Sequence, residues 1–352
     1  MPMTRASPKE FASPNADATR TVDVSPRSAA ESGTLRKVAI FRNPRSHGNR
    51  GHVPAPIARD RWPDIQIVAV EPGSRSEIPE VLEELAAQRI DALIINGGDG
   101  TVRDILTAGM PIFGKDWPRL AVLPRGKTNA LTVDLGVPDD WGIDDALKAL
   151  ENGTKCERSP MVVTSSNGSE DLVAAGFILG AGAFTMGTQA AQDAHRYGAF
   201  GGLAVGLTVG WSVVQILFGR AGNRWRQGVP MRMRMLPQGE DLPYRGTDVR
   251  HSRAVLVATS LTTFPLGLKP FGPERPGLKY MAIDRPRRRI FFSAPAIIAG
   301  RQYDYLHRLG LHQGDAKGFE IDLGGEFILD GEAYPAGSYR IETGPRIAFA
   351  VP

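Results

Sequence analysis

Cysteine is nearly missing from this 352-residue chain, with Cys156 the single one. No intrachain disulfide can form, and neither a Cys-built zinc site nor an iron–sulfur cluster can be assembled. A disulfide-stapled scaffold is excluded with them, and a reducing, cytosolic home is the default expectation. Histidine is scarce too, at six residues. His47 and His52 lie five apart, as do His307 and His312, which is not the spacing of a transition-metal site. All four are expected to be structural or at the surface. No apolar run follows the start, so no secretory signal is expected, and no repeat of solenoid period is found. Charge of one sign is also lacking: 42 Lys and Arg against 38 Asp and Glu leave a net +4. That excess is too small to argue for nucleic acid by itself, and it suits phosphate or anionic lipid. What is present is ordinary for a globular chain, 42% hydrophobic and 23% charged. Wholesale disorder and collagen-like structure are thereby ruled out, and the length suits two domains of about 150 residues.

Residues 1–33 are rich in Ser, Ala, Pro and Thr and lack apolar periodicity, so a disordered, solvated tail is expected there. From 34 to 155 the texture is α/β. KVAIF at 37–41, IQIVAV at 65–70 and DALIIN at 91–96 read as buried strands, with a shorter one at 120–123. Between the second and third, Ile78, Val81, Leu82 and Leu85 recur at helical spacing within 76–88. Strands alternating with helices imply a mostly parallel sheet covered on both faces. In such sheets, ligands bind where strand carboxyl ends meet helix starts. Residues 156–352 change to strand-like runs separated by turn residues, at 172–179, 231–236, 254–260, 278–283, 319–323, 327–329, 339–342 and 347–351. This is the pattern of an antiparallel β-rich domain, whose last strands have the option of returning to the first.

The strongest chemical signal is Asn96-Gly97-Gly98-Asp99-Gly100-Thr101, at the junction of a buried strand with a helix expected over 102–108. Glycines let a backbone approach a ligand closely, and a helix start offers free N–H groups and partial positive charge to phosphate. Thr101 can cap that helix or bond a phosphate oxygen. An aspartate among phosphate-binding glycines would be repelled unless a cation intervenes, so Asp99 points to Mg²⁺ or to a hydroxyl. A second loop repeats the logic after 120–123: Pro124-Arg125-Gly126-Lys127-Thr128-Asn129, with a helix expected through Asp134. A third, Arg42 to Arg50, follows the first strand with small polar residues and three arginines. Ordinary turns account for any one of these loops; three on one sheet make a nucleotide-sized crevice the better reading. No Walker A loop and no protein-kinase HRD or DFG set is present.

The chain resembles the diacylglycerol kinase catalytic-domain family, which includes bacterial soluble lipid kinases, sphingosine kinases and ceramide kinases. The resemblance is carried by Asn-Pro-x-Ser at Asn43 to Ser46, by GGDGT at Gly97 to Thr101, by Pro-x-Gly-x-x-Asn at Pro124 to Asn129, and by Asp330-Gly331-Glu332. GGDGT alone is shared with NAD kinases and phosphofructokinase relatives. The resemblance implies an N-terminal α/β nucleotide domain, a C-terminal antiparallel β-sandwich, and an active site in the cleft between them. It implies that Asn43, Ser46, Gly97, Gly98, Gly100, Thr101, Gly126, Thr128 and Asn129 line an ATP site. It makes Asp330 the general base for a lipid hydroxyl, with Glu332 beside it at the nucleotide and Asp99 sharing the catalytic centre. Read without the family, Asp330-Gly331 is first a hairpin turn. Three departures stand out. Asp104 replaces the usual Glu, Ala130 replaces an acid, and Pro276-Gly277 replaces an Asp-Gly that some bacterial members tie to a structural Mg²⁺.

Residues 197–218 carry no charge over 22 positions, with glycine at every fourth residue from Gly198 to Gly210. The length would span a bilayer. Lying between pieces of a domain, the segment reads instead as a core or cleft helix forming an apolar wall for acyl chains. Arg220, Arg224, Arg226, Arg232 and Arg234, and then Arg285, Arg287, Arg288 and Arg289, supply cations that suit either a solvated face or anionic headgroups. The expectation is an ATP- and Mg²⁺-dependent lipid kinase acting on diacylglycerol, ceramide or a sphingoid base, cytoplasmic and peripheral at the inner membrane face. No nucleic-acid recognition motif accompanies the basic runs. An NAD kinase and a non-catalytic lipid-binding pseudokinase are the alternatives.

Overall fold

The computed structural model describes residues 35–51, 59–153, 155–166, 172–185, 228–264, 267–284, 290, 292–301 and 303–352. The expected tail at 1–33, the uncharged run at 197–218, His52, and the arginines at 220, 224, 226, 285 and 287–289 lie outside these residues. Among the described residues, no helix is long and apolar enough to cross a membrane.

The first half opens with β1 (Lys37–Arg42), β2 (Gln66–Val70) and α1 (Ile78–Ala87). There follow β3 (Ala92–Gly97), α2 (Asp99–Phe113), β4 (Arg119–Pro124), α3 (Ala130–Asp134), α4 (Ile143–Asn152) and β5 (Lys155–Arg158). Strands β1 to β4 are parallel, side by side in the order β2-β1-β3-β4. Val38 to Phe41 and Ala92 to Ile95 are buried without alternation, which requires cover on both faces of the sheet. α2 runs further at both ends than the glycines and Pro111 of its sequence would allow. Gly109 makes room for the Trp117 ring, which a β-carbon would approach to 2.5 Å.

The second half comprises β6 (Met161–Ser165), β7 (Val173–Gly176), β8 (Ile178–Gly182), β9 (Val229–Leu236), β10 (Glu240–Asp241), β11 (Ser252–Arg253) and β12 (Val255–Thr259). It continues with β13 (Leu278–Ile283), β14 (Leu311–Ala316), β15 (Gly318–Leu323), β16 (Phe327–Leu329), β17 (Glu332–Tyr334), β18 (Gly337–Thr343) and β19 (Ile347–Ala350). Two antiparallel sheets form, β10-β9-β15-β18-β6-β7 and β14-β13-β12-β8-β16-β17. Their inner faces share one core, in which Met233, Phe319 and Ile341 of the first sheet meet Leu256, Ala258 and Leu329 of the second. Alternation is clean where one face is wet: Met231 and Met233 are buried while Arg232 and Arg234 are exposed.

One finding departs from the sequence reading. The run expected as one strand over 172–179 is two, because the chain crosses from one sheet of the sandwich to the other at Phe177. The last strand, β19, joins the nucleotide-side sheet between β4 (parallel) and β5 (antiparallel). His312 is buried in β14, whereas His47 and His307 are exposed.

Candidate active site

Three loops leave the carboxyl ends of β1, β3 and β4, which are neighbours in the sheet, and the loops brace one another. The Asn43 N–H donates to the Asn96 carbonyl (3.0 Å), and the Gly48 N–H to the Arg125 carbonyl (2.9 Å). Asn49, buried although it lies in a loop, donates through Nδ2 to the carbonyls of Asn43 (2.8 Å) and Asn96 (3.0 Å). Thr101 does not cap its own helix. Its buried hydroxyl accepts from Asn43 Nδ2 (2.8 Å) and lies 3.3 Å from Ser46 Oγ, tying the first loop to the second. Gly97 leaves space for that side chain, since a β-carbon there would fall 2.6 Å from Thr101 Cβ.

Gly98 and Gly126 are where the second and third loops touch. A β-carbon on Gly126 would reach the Gly98 α-carbon at 2.9 Å and Asn129 Oδ1 at 2.8 Å. Asn129 takes the left-handed conformation (φ 52°) that its side chain tolerates, and its Oδ1 accepts the Gly126 N–H (2.7 Å). Gly100 faces open space, with Arg103 Nη2 at 3.9 Å from a built β-carbon. Thr128 is exposed at the rim, beside Lys127. The side-chain oxygen of Asn96 is buried without a partner among the described residues. These glycines let the loops pack backbone against backbone at the start of α2, and a helix start in that place suits the phosphates of a nucleotide.

Asp99 accepts the Ala130 N–H (3.1 Å) on one carboxylate oxygen and the Leu131 N–H (3.3 Å) on the other. It therefore holds the start of α3. Burial pushes its carboxyl above the ordinary value, while those N–H groups pull the other way. Asp330 occupies the first central position of a two-residue turn between β16 and β17. Its φ of 43° and Gly331's of 82° meet the requirement of a primed hairpin turn. Its N–H donates to the Ile178 carbonyl (2.9 Å), and its carboxylate accepts the N–H groups of Phe177 and Ile178, both at 2.8 Å. Those N–H groups are freed by the sheet-to-sheet crossing, so the interrupted strand and the hairpin turn are one device. A β-carbon on Gly176 would stand 2.6 Å from that carboxylate. Burial is the main force that pushes the Asp330 carboxyl up to about 7; Asp99's negative charge adds to it, and Arg103's positive charge opposes it. The two aspartates thus sense each other although 231 positions separate them.

Two arginines that the sequence reading passed over stand beside this pair. Arg103, buried in the first turns of α2, donates through Nη1 to the Asp330 carbonyl (3.1 Å) and pairs through Nη2 with Asp104 (2.7 Å) and Glu332 (3.3 Å). Arg75 also bridges Asp104 and Glu332, the latter at 3.1 Å. Glu332 is accordingly an ion-pair partner in this arrangement. The only sequence signal for Arg103 is its position, one helical turn after Asp99 on the face toward the loops.

The residues tied by resemblance to a structural Mg²⁺ do not fit a divalent ion here. Pro276 supplies no carboxylate, and the neighbouring carbonyls of Arg275 and Gly277 accept the Lys279 ammonium at 2.7 and 2.9 Å. Lys279 is almost wholly buried. Its burial, with the nearby charge of Arg275 next in weight, lowers its pKa to about 8. Among the described residues, no three His, Cys, Asp or Glu side chains converge on one cation.

Residues 37–161 match the family model of the diacylglycerol kinase catalytic domain. Over 74 residues, 21% of this chain, the sequence is 32% identical to the probable lipid kinase YegS of Shigella flexneri, and to that of Escherichia coli O9:H4. That stretch spans 24% of the length of these curated relatives. The fold is similar to the crystal structure of a diacylglycerol kinase from Bacillus anthracis strain Sterne, with a TM-score of 0.58 at 14% identity, covering 92% of this chain and 98% of that one. A second structure from the same strain gives 0.61 at 16% identity, covering 92% and 99%. Residues 37–161 are thus similar to the diacylglycerol kinase catalytic domain, and the fold over nearly the full length is similar to that of those structures.

Proposed function

We propose that this protein is an ATP-dependent kinase that phosphorylates a lipid hydroxyl, that of diacylglycerol, ceramide or a sphingoid base. The observation that carries the reading is the placement of Asp330: a carboxylate raised to about 7, electrostatically coupled to Asp99 of the glycine loop. A base that titrates near neutrality suits removal of a hydroxyl proton. In this scheme the glycine cradle of Gly97, Gly98 and Gly126 receives the ATP phosphates. The Asn129 side chain fixes the third loop, and Asn43, Ser46 and Thr101 fix the first against the second. The lipid hydroxyl oxygen bonds to the γ-phosphorus as the bond to the β,γ-bridging oxygen breaks. Asp330 takes the hydroxyl proton and later releases it to water, and ADP departs. Mg²⁺ brought with ATP would supply charge neutralisation at the phosphates, and Asp99 would be the carboxylate to hold it. Peripheral attachment to an anionic inner membrane face, with a cytoplasmic body, accompanies this reading. Exposed Arg232 and Arg234 are among the cations available for it, each partly engaged by Asp241.

The test is a thin-layer assay with labelled ATP, Mg²⁺ and a panel of diacylglycerol, ceramide, sphingosine and NAD. A labelled lipid product that Asp330→Asn fails to form supports the proposal. Transfer to NAD alone, or to nothing in the panel by a protein that binds ATP, overturns it.

A further inference from the structure

The contacts of Arg103 cross the whole sequence. Its Nη1 donates to the carbonyl of a residue 227 positions later, and its other guanidinium nitrogens hold Asp104 on its own helix and Glu332 just past the hairpin turn. α2 begins at the glycine loop, so any shift of that loop is carried along the helix to Arg103 within about one turn. Asp330 is gripped on three sides. Its N–H is held by Ile178, its carboxylate by Phe177 and Ile178, and its carbonyl by Arg103. The first two grips belong to the β-rich half and set the residue within its own sandwich. Only the third refers Asp330 to the nucleotide loop.

We propose that Arg103 is a positioning residue for phosphoryl transfer: its guanidinium fixes the Asp330 turn relative to the helix that starts at the nucleotide loop. The inference rests on the reading of Asp330 as the base. Arg103 spreads its donors over three nitrogens of a rigid plane, reaching a carbonyl and two carboxylates in fixed directions, which the single nitrogen of an ammonium does not reproduce. Arg75 completes the frame by tying Asp104 to Glu332 from outside. The charged side chains bearing on Asp330 are Asp99 from the loop side and Arg103 from α2; the β7–β8 crossing bears on it through backbone N–H groups.

The experiment compares Arg103→Met, Arg103→Lys and Asp330→Asn in the full chain. It reads the turnover number and KM for ATP against pH, the thermal midpoint, and the titration of the Asp330 carboxyl by carbon-13 NMR. The expected result for Arg103→Met is a fall in turnover of 10-fold or more with KM for ATP within about threefold. Its carboxyl titration and the acid limb of its rate profile should both move to higher pH. Arg103→Lys should keep the limb near the wild-type position, because the charge remains, while losing several-fold in turnover, because the fork is gone. If Arg103→Met fails to fold, the lysine variant alone decides. Wild-type turnover in Arg103→Lys overturns the proposal, as does an unmoved Asp330 titration in a folded Arg103→Met. Failure of the base reading looks different: Asp330→Asn would then keep the wild-type acid limb, whatever the Arg103 variants do.

Discussion

A β-carbon added to Gly98 would come within 2.5 Å of the Gly126 α-carbon and 3.0 Å of its nitrogen. Backbone cannot rotate away as a side chain can, so the two loops must part by about 1 Å to reach ordinary contact distance. Gly98→Ala is therefore expected to weaken ATP binding at least tenfold. A displacement of that size at a reacting centre can lower turnover by about 10²-fold. Calorimetric ATP titration alongside a melting curve checks this. A folded Gly98→Ala protein with unchanged affinity would show that the cradle does not receive the nucleotide.

Asp330 carries opposite consequences for activity and stability. As a base it must be ionised, so turnover should rise with pH along a limb centred near 7 and vanish below it. For stability the sign reverses. Between about 4 and 7 the folded carboxyl keeps a proton that the unfolded one has lost, so stability falls as pH rises. The penalty, roughly 4 kcal/mol, is complete above pH 7. Asp330→Asn removes it and suits a positive φ, at the loss of about one N–H acceptor. Turnover should drop by about 10² to 10⁴-fold, the melting midpoint at pH 8 should not fall, and the stability slope below pH 7 should flatten. Asp330→Ala should instead lose stability, because two N–H groups go unmet at a strained φ. A destabilised Asp330→Asn protein that turns over normally would make this residue a hairpin element alone.

Lys279 predicts a rise in stability toward alkaline pH. Its folded pKa lies near 8, below the ordinary lysine value of 10.5. Between those values the unfolded chain holds a proton that the folded one has released, so unfolding becomes harder as pH increases through the window. The full effect is about 3 kcal/mol. Urea midpoints from pH 7 to 11 should show the rise in wild type and little of it in Lys279→Met. Chelator should leave the midpoint of the nucleotide-free protein unchanged, because an ammonium already holds the Arg275 and Gly277 carbonyls. A strong chelator effect would contradict this role for the lysine.

Within the sandwich, Arg253 is completely buried and ion-paired to Asp284, whose other oxygen accepts the Arg245 N–H and meets His312 Nε2 at 2.9 Å. Removing one partner of such a pair leaves the other charge uncompensated. Arg253→Met should lower the unfolding free energy by about 3–5 kcal/mol, and the double variant with Asp284→Asn should recover part of it. Equilibrium denaturation of the single and double variants checks the coupling. Additive losses would mean the pair acts as two independent groups.

The parallel sheet was readable because KVAIF and DALIIN are apolar without alternation, a pattern that two covered faces impose. The loops were readable because glycine and asparagine punctuate each strand end, and Asp330-Gly331 announced its turn. The crossing at Phe177 was hidden, because residues 172–179 read as one continuous strand; what divides them is a carboxylate about 150 positions downstream. β14 escaped notice because His312, Gln313, Gly314 and Asp315 give it no strand-like alternation. Arg103 was silent for a related reason. An arginine in an amphipathic helix reads as surface charge until tertiary structure supplies its partners. Lys279 gave no signal of its own within the strand at 278–283, since its burial comes from the ammonium turning back onto the carbonyls of Arg275 and Gly277.

The place of β19 bears on how the protein is made. Residues 347–350 fill a slot between β4 and β5, so the sheet beneath the glycine loops stays open until these residues, more than two hundred positions after β4, have emerged from the ribosome. Pairing the Phe349 position with Leu120 closes a loop of more than two hundred residues, the kind of long-range contact that slows folding. The sandwich must therefore collapse first or together with the sheet, and an early-finished β4 edge is left available for wrong pairing in the meantime. An N-terminal fragment ending after β5 would lack its neighbour strand permanently. Pulse-labelled nascent chains should accordingly stay protease-sensitive at β4 until synthesis passes Ala350.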